Sequence, residues 1–206
     1  MQDDVNSVKI LRRPSYHHGA LREALIDAAR TVVEERGPDN FSLREAARRA
    51  GVSPAAPGHH FGDARGLLTA LATVISRSFG DALERADVGC DRVARLRAQG
   101  TAYVRFALAH RAAFDLVWRR GLVDAEDAEL KAANQRAFLI LDRVVRGEDA
   151  SGASPCEVDA TPSLAAWAMV HGFAQLALSG VFGVDEGAAE RAVDALLPAV
   201  LDRLAL

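Results

Sequence analysis

Few residues in this chain have types and spacings that could do chemistry, and most of those are basic or aromatic. Histidines stand in two adjacent pairs, His17-His18 and His59-His60. Neighbouring residues on a helix point about 100° apart, so neither pair has the i, i+4 chelating geometry, and no Asp, Glu or Cys cluster accompanies them. No metal site is expected. No GxSxG, HExxH, Walker-type loop or dinucleotide fingerprint occurs, so no catalytic residue and no cofactor is expected and an all-helical enzyme is the weaker reading. The acids Asp124, Glu126, Asp127 and Glu129 read as a solvated face. Lys9, Arg12, Arg13 and Arg22 fall in a stretch, 8–22, that holds no acid. Such a local positive field suits a phosphate backbone through counterion release, or else a solvated tail. Trp167 and His171 are one helical turn apart and can share a pocket wall, with His171 either hydrogen-bonding a ligand or satisfied in the core. Phe79, Tyr103, Phe106, Phe114, Trp118, Phe138 and Phe173 can line an apolar cavity or form ordinary core. The ligand such a lining suits is small and largely hydrophobic or aromatic.

The elements that position the basic residues centre on residues 42–61. Ser42 and Glu45 have the capping-box spacing, in which the hydroxyl takes an orphan N–H and the carboxylate reaches back. Leu43, Ala46, Ala47 and Ala50 share one helical face. Gly51 can take the left-handed conformation that ends this helix, and Val52 can turn inward. Ser53-Pro54 reads as an N-cap followed by a proline at the first helical position of a second short helix. Helix, glycine turn and short helix make a helix-turn-helix, whose second helix can enter a DNA major groove. The alternative is a structural corner in a helical bundle.

At 206 residues, half of them hydrophobic and 26% charged, the chain has the composition and length of a globular protein with a sizeable core. No apolar run approaches the ~20 residues that span a bilayer, so no membrane partner and a cytoplasmic location are expected. Cys90 and Cys156 have no metal-ligand spacing and read as reduced thiols. The net charge of −3 is unevenly spread: residues 1–62 carry nine Lys/Arg against eight Asp/Glu, and the rest sixteen against twenty.

In chain order, residues 1–15 lack periodicity and read as a disordered basic arm. Residues 16–62 read as a three-helix DNA-binding domain, its first helix at 19–36 stopped by Gly37-Pro38. Residues 63–206 read as a helical ligand-binding and dimerisation domain. Its first helix, 64–86, follows the second helix of the pair directly and is the natural lever between the two parts. Further helices are expected at 91–110, 112–120, 125–145, 161–182 and 186–204, giving an all-α chain of about nine helices with a Gly/Ser/Pro/Asp-rich loop at 147–160. The 161–182 helix is apolar nearly all round and must be buried on both sides. With 186–204 it forms a hairpin, and two such hairpins would pack into a four-helix interface of a homodimer.

Phe41-Ser42-Leu43-Arg44-Glu45-Ala46-Ala47-Arg48-Arg49-Ala50-Gly51-Val52-Ser53, then His60-Phe61 and Leu67-Leu68, resemble the helix-turn-helix block of TetR-family bacterial transcriptional regulators. Tyr16-His17-His18-Gly19-Ala20-Leu21-Arg22 is similar to the approach to that family's first helix. Trp167 with His171-Gly172 resembles the Trp…His-Gly signature of one subgroup of its C-terminal domains. The resemblance implies a homodimer that binds a double-stranded DNA operator, usually as a repressor, and leaves it when a small effector moves the fourth helix. It implies DNA contacts from Arg12, Arg13, Tyr16 and His17 in the arm, from Arg44, and from Ser53, Pro54, Ala55, Ala56, Gly58, His59 and His60. His60 could equally be a packing residue. Two positions depart from the family pattern. Gly58 stands where a phosphate-contacting tyrosine is common, and Ala64 where a lysine commonly opens the fourth helix. These departures keep a third reading open, a ligand-binding or protein-interaction dimer with weakened DNA affinity.

Overall fold

The computed structural model describes residues 18–147 and 154–203. Arg12, Arg13, Tyr16 and His17, and with them the basic arm, lie outside the described residues. Among the described residues there are ten α-helices, two short 3-10 turns and no strand. The helices are α1 (His18–Arg36), α2 (Leu43–Arg49), α3 (Ala56–Phe61), α4 (Ala64–Arg85), α5 (Arg92–Ala109), α6 (Arg111–Trp118), α7 (Ala128–Arg146), α8 (Thr161–Leu178), α9 (Ala188–Ala195) and α10 (Leu197–Leu201). None is long and apolar enough to cross a membrane.

Leu25, Ala29, Val32 and Val33 form the buried stripe of α1, and Gly37, at φ 75°, turns the chain out of it. Ser42 caps α2 by accepting from the Glu45 amide at 3.3 Å. The reciprocal arm of the expected capping box is replaced. The Glu45 carboxylate accepts from Arg48 and Arg49, at 2.8 Å each, and these guanidiniums hold its carboxyl down at about 2. Arg49 also grips Glu35 of α1, clamping α2 onto α1. Gly51, at φ 69°, ends α2 in a Schellman turn, with the Val52 amide donating to the Ala47 carbonyl and the Gly51 amide to that of Arg48.

Two proline effects move helix ends from their expected positions. Ser53-Pro54 does not open α3, which begins at Ala56. Pro57 has no N–H to give to the Ser53 carbonyl, so that carbonyl accepts from Ala56 instead, at 3.0 Å, in a tighter turn. The expected helix at 186–204 is likewise two, α9 and α10, because Pro198 has no proton for the Asp194 carbonyl. Among the described residues the count is therefore ten α-helices, where the periodicity predicts about nine. Helix α8 stops at Leu178, short of the expected 182, in a second Schellman turn around Gly180 at φ 77°. Helix α7 starts at Ala128, after the expected 125, because the Asp127 carboxylate caps the Leu130 amide at 2.9 Å.

One apolar cluster runs from Leu25 and Val33 of α1 and Ala46 of α2, through Leu67, Leu71 and Ile75 of α4, to Leu116 of α6 and Leu130 of α7. Each buried leucine in it contributes about 1.5–3 kcal/mol. Helix α4 is thus held from both ends of the molecule. A second cluster joins Leu83, Tyr103, Phe114, Ile140, Phe173, Val193 and Leu201, from α4 to α10.

Candidate functional site

The N-terminal module presents a surface of small residues. Ser53, Pro54, Ala55, Gly58 and His59 are exposed, Ala56 and His60 half-buried, and Pro57 is turned into the core. Gly58 has open space where a Cβ would stand. Arg44, in the first turn of α2, is exposed on the approach to α3. The junction of α3 with α4 is tight. Asp63 caps the Gly66 amide at 2.8 Å, and a Cβ on Gly66 would lie 1.9 Å from the Phe61 carbonyl oxygen. Arg22 of α1 lies over the Phe61 ring, 5.5 Å from its centroid, tying the end of α3 to α1. This arrangement can lay a short, low-profile helix against a duplex, with backbone close to base edges. Among the described residues no group of three metal-ligating side chains gathers, at His59-His60 or elsewhere.

A cavity of about 660 Å³ lies between α4, α5, α6, α7 and α8, within the range of small-molecule sites. Phe79, Tyr103, Phe106, Phe114, Trp118, Phe138 and Trp167 all line it. They touch one another edge-on and tilted: Phe79 meets Tyr103 with centroids 4.9 Å apart, and Trp118 meets Trp167 at 5.6 Å. Two of the nine expected ligand residues stand outside its wall. Phe173 stacks on Phe182 at 4.8 Å in the second core, since two three-residue steps from Trp167 turn it off the face that Trp167 and Val170 share. His171 sits behind Tyr103, its Nδ1 2.8 Å from the phenol oxygen. The Trp167 indole N–H donates to that same oxygen at 3.2 Å. The phenol donates to His171 Nδ1 where the imidazole is the neutral Nε2–H tautomer, and accepts from it in the Nδ1–H tautomer. Burial lowers the His171 pKa and raises that of Tyr103, so both groups stay uncharged.

Ser76 and Gln99 also line the cavity and were not among the expected ligand residues. Gln99 carries a signal in the sequence: it is a polar residue set between Leu96 and Tyr103 on the apolar stripe of α5. Ser76, beside Ile75, carries none.

The segment 119–127, between α6 and α7, belongs to both regions. Arg120, Val123, Ala125 and Glu126 form part of the cavity wall. The Asp124 amide donates to Thr69 Oγ1 at 2.8 Å, and Arg65 donates to the Val123 carbonyl at 3.1 Å, both in the first turns of α4. Thr69 in turn donates to the Arg65 carbonyl at 2.7 Å. Arg119 pairs with Asp39, next to the start of α2.

Residues 25–71 match the family model of the bacterial regulatory proteins of the tetR family. Residues 96–200, half of the chain, match the tetracyclin repressor-like C-terminal domain. The chain belongs to the TetR family. It is a TetR-family transcriptional regulator, with a helix-turn-helix DNA-binding domain and a helical C-terminal domain in which Trp167, His171 and Gly172 fall. The HTH-type transcriptional regulator BetI of Rhizobium meliloti (strain 1021) is 34% identical over 93 residues, 45% of this chain and 41% of BetI. BetI of Yersinia pestis is 38% identical over 64 residues, 31% of this chain and 32% of BetI. The chain thus spans a third to two-fifths of the length of these relatives. Among solved structures, a protein of unknown function from Rhodococcus sp. RHA1 is 34% identical with a TM-score of 0.75, covering 94% of this chain and 100% of that one. The TetR-like regulator LfrR from Mycobacterium smegmatis, solved in complex with proflavine, shares the fold at 22% identity and a TM-score of 0.59, over 87% of this chain and 96% of LfrR.

Proposed function

We propose that this TetR-family protein is a homodimeric repressor that leaves its double-stranded DNA operator when a small, largely apolar effector fills the cavity. The observation that carries this reading is the segment 119–127, which walls the cavity on one side and hydrogen-bonds Thr69 and Arg65 of α4 on the other. An effector that displaces Val123 or Ala125 acts on the start of α4, and through the tight Phe61–Gly66 contact on α3. The two readers of a dimer would then shift relative to their half-sites. The effector contacts are those of Phe79, Tyr103, Phe106, Phe114, Trp118, Phe138 and Trp167. A complex of a same-fold protein, LfrR, with the aromatic molecule proflavine agrees with such a lining. The dimer forms through α8 with α9 and α10: α8 leaves Leu164, Ala165, Ala168 and Leu176 exposed along one side, and Leu196 after α9 is 47% exposed. Small residues on that side allow close helix approach.

A second reading, a ligand-responsive dimer with weak DNA affinity, is favoured by the bare surface at Gly58 and by the engagement of Arg65 with Val123 and Asp124. A reporter gene behind the DNA flanking the protein's own gene separates the two. Repression is expected when the protein is supplied, together with a Thr69→Val variant that represses but responds less to any inducer. Unchanged reporter output with the wild type would favour the second reading.

A further inference from the structure

The cavity is apolar in area but not in its demands. Ser76 and Gln99 are each 2% exposed, both line it, and Ser76 Oγ and Gln99 Oε1 have no hydrogen-bond partner in the protein. The orientation of the Gln99 amide is fixed by chemistry. Its nitrogen faces the Ile140 carbonyl, at 3.5 Å, and the Asp87 carboxylate, both acceptors. The oxygen is consequently the atom left over. The hydroxyls nearby on α4 behave differently, for Thr69 and Thr73 each donate to the carbonyl four residues back. The Tyr103 phenol is committed to His171 and Trp167. The charged wall residues, Arg120, Glu126 and Lys131, are exposed, and Lys131 pairs with Glu126. Just beneath its interior surface the wall thus holds one unpartnered amide acceptor, one unpartnered hydroxyl and no charged side chain.

Resting on the effector reading above, the geometry points to an uncharged effector: an aromatic or alicyclic body carrying a hydrogen-bond donor, a hydroxyl or an amide N–H, that meets Gln99 Oε1. An ionised group buried beside Gln99 would find no charged partner on the interior wall, since Asp87 behind the Gln99 amide is already paired with Arg95, and would bear its desolvation cost. A purely hydrocarbon or ether ligand would leave the buried amide oxygen unsatisfied. Ser76 can donate or accept and so adjusts to the same group or to a second one. The cavity selects neutral donors and rejects both acids and ethers of the same skeleton.

The test is calorimetric titration of the purified full-length chain with two matched sets of probes: hydroxybiphenyl, methoxybiphenyl and biphenylcarboxylate, and the corresponding naphthalenes. The chain has only two tryptophans, Trp118 and Trp167, both on the cavity wall, so a change in their emission on binding locates the probe. The hydroxyl compound of at least one set is expected to bind about tenfold tighter than its ether and its carboxylate. A Gln99→Met variant, near-isosteric, should bind hydroxyl and ether within about twofold of each other; Ser76→Ala should keep most of the preference. Hydroxyl and ether binding equally to the wild type, or the carboxylate binding best, would overturn the inference while leaving the cavity an effector site. No heat and no change in emission with any of the six compounds would overturn the effector reading and this inference with it.

Discussion

On the proposed repressor reading, Gly58 and Arg65 are the positions at which the grip on a phosphate backbone can be tested. Nothing surrounds the Cβ position of Gly58, and its φ is not in the left-handed range, so a tyrosine there is sterically allowed. Arg65, one step round α4 from Ala64, is no substitute for a lysine at that helix start, because its guanidinium is held by the Val123 carbonyl and lies 3.7 Å from Asp124. The Gly58→Tyr, Ala64→Lys double variant is expected to bind the operator tighter. The slope of log K against log salt should steepen by about one for each phosphate contact restored. Equal affinity and slope in anisotropy titrations would show that neither position reaches a phosphate. His171 offers a different test. Burial depresses its pKa below the ordinary 6.5. As pH falls through 6.5 the unfolded chain takes up a proton that the folded chain still refuses, so stability drops there until the folded pKa is passed. The melting temperature should fall as pH drops through 6.5, less steeply in a His171→Gln variant; parallel curves would mean that His171 does not titrate there. At this scale the sequence was partly legible. The aromatic spacing on α4, α5 and α6 pointed at the cavity wall, whereas the Tyr103–His171–Trp167 relay joins α5 to α8 across 64–68 residues and no local pattern encodes it.

Some helix ends were legible from one residue, whereas Asp127 and Gly180, equally local, fix the start of α7 and the end of α8 away from the expected positions. Gly37, Gly51 and Ser42 act as their types predict, because a positive φ or a short side-chain acceptor is a local property. Pro57 and Pro198 were harder. A proline permits a helix start anywhere in its first turn, and which carbonyl loses its donor depends on the register of the preceding turn. The α3–α4 junction carries the clearest prediction at this level. Gly66→Ala places a Cβ against the Phe61 carbonyl, and one of the two helices must shift. The expected cost is about 1–3 kcal/mol in stability. Operator binding should fall, with the far-ultraviolet helical signal and probe binding in the cavity retained. Undiminished operator affinity would show that the angle between α3 and α4 is not what aims the reader.

The whole molecule is built around α4. Its first turns share a core with α1 and α2, and its later turns, through Phe79 and Leu83, reach the cavity wall and the second core. The DNA-binding domain and the helical C-terminal domain therefore share one apolar cluster, with no break in packing between them among the described residues. A net charge of −3 is compatible with DNA binding because only the reading face must be basic or neutral, and two acids of the N-terminal module are already paired: Glu45 with Arg48 and Arg49, Glu35 with Arg49. In the proposed dimer, a second copy laid against the exposed side of α8 would set two α3 helices at a fixed spacing, which demands a two-fold operator. The most direct measurement is titration of the full-length protein against DNA flanking its own gene and against a scrambled duplex of equal length, at several salt concentrations. Two protomers per site, a clear preference for the flanking DNA and an affinity that falls linearly on log–log axes are predicted. Equal binding to both duplexes down to low salt, or none, would contradict the proposal that this chain is a repressor acting on its own promoter region.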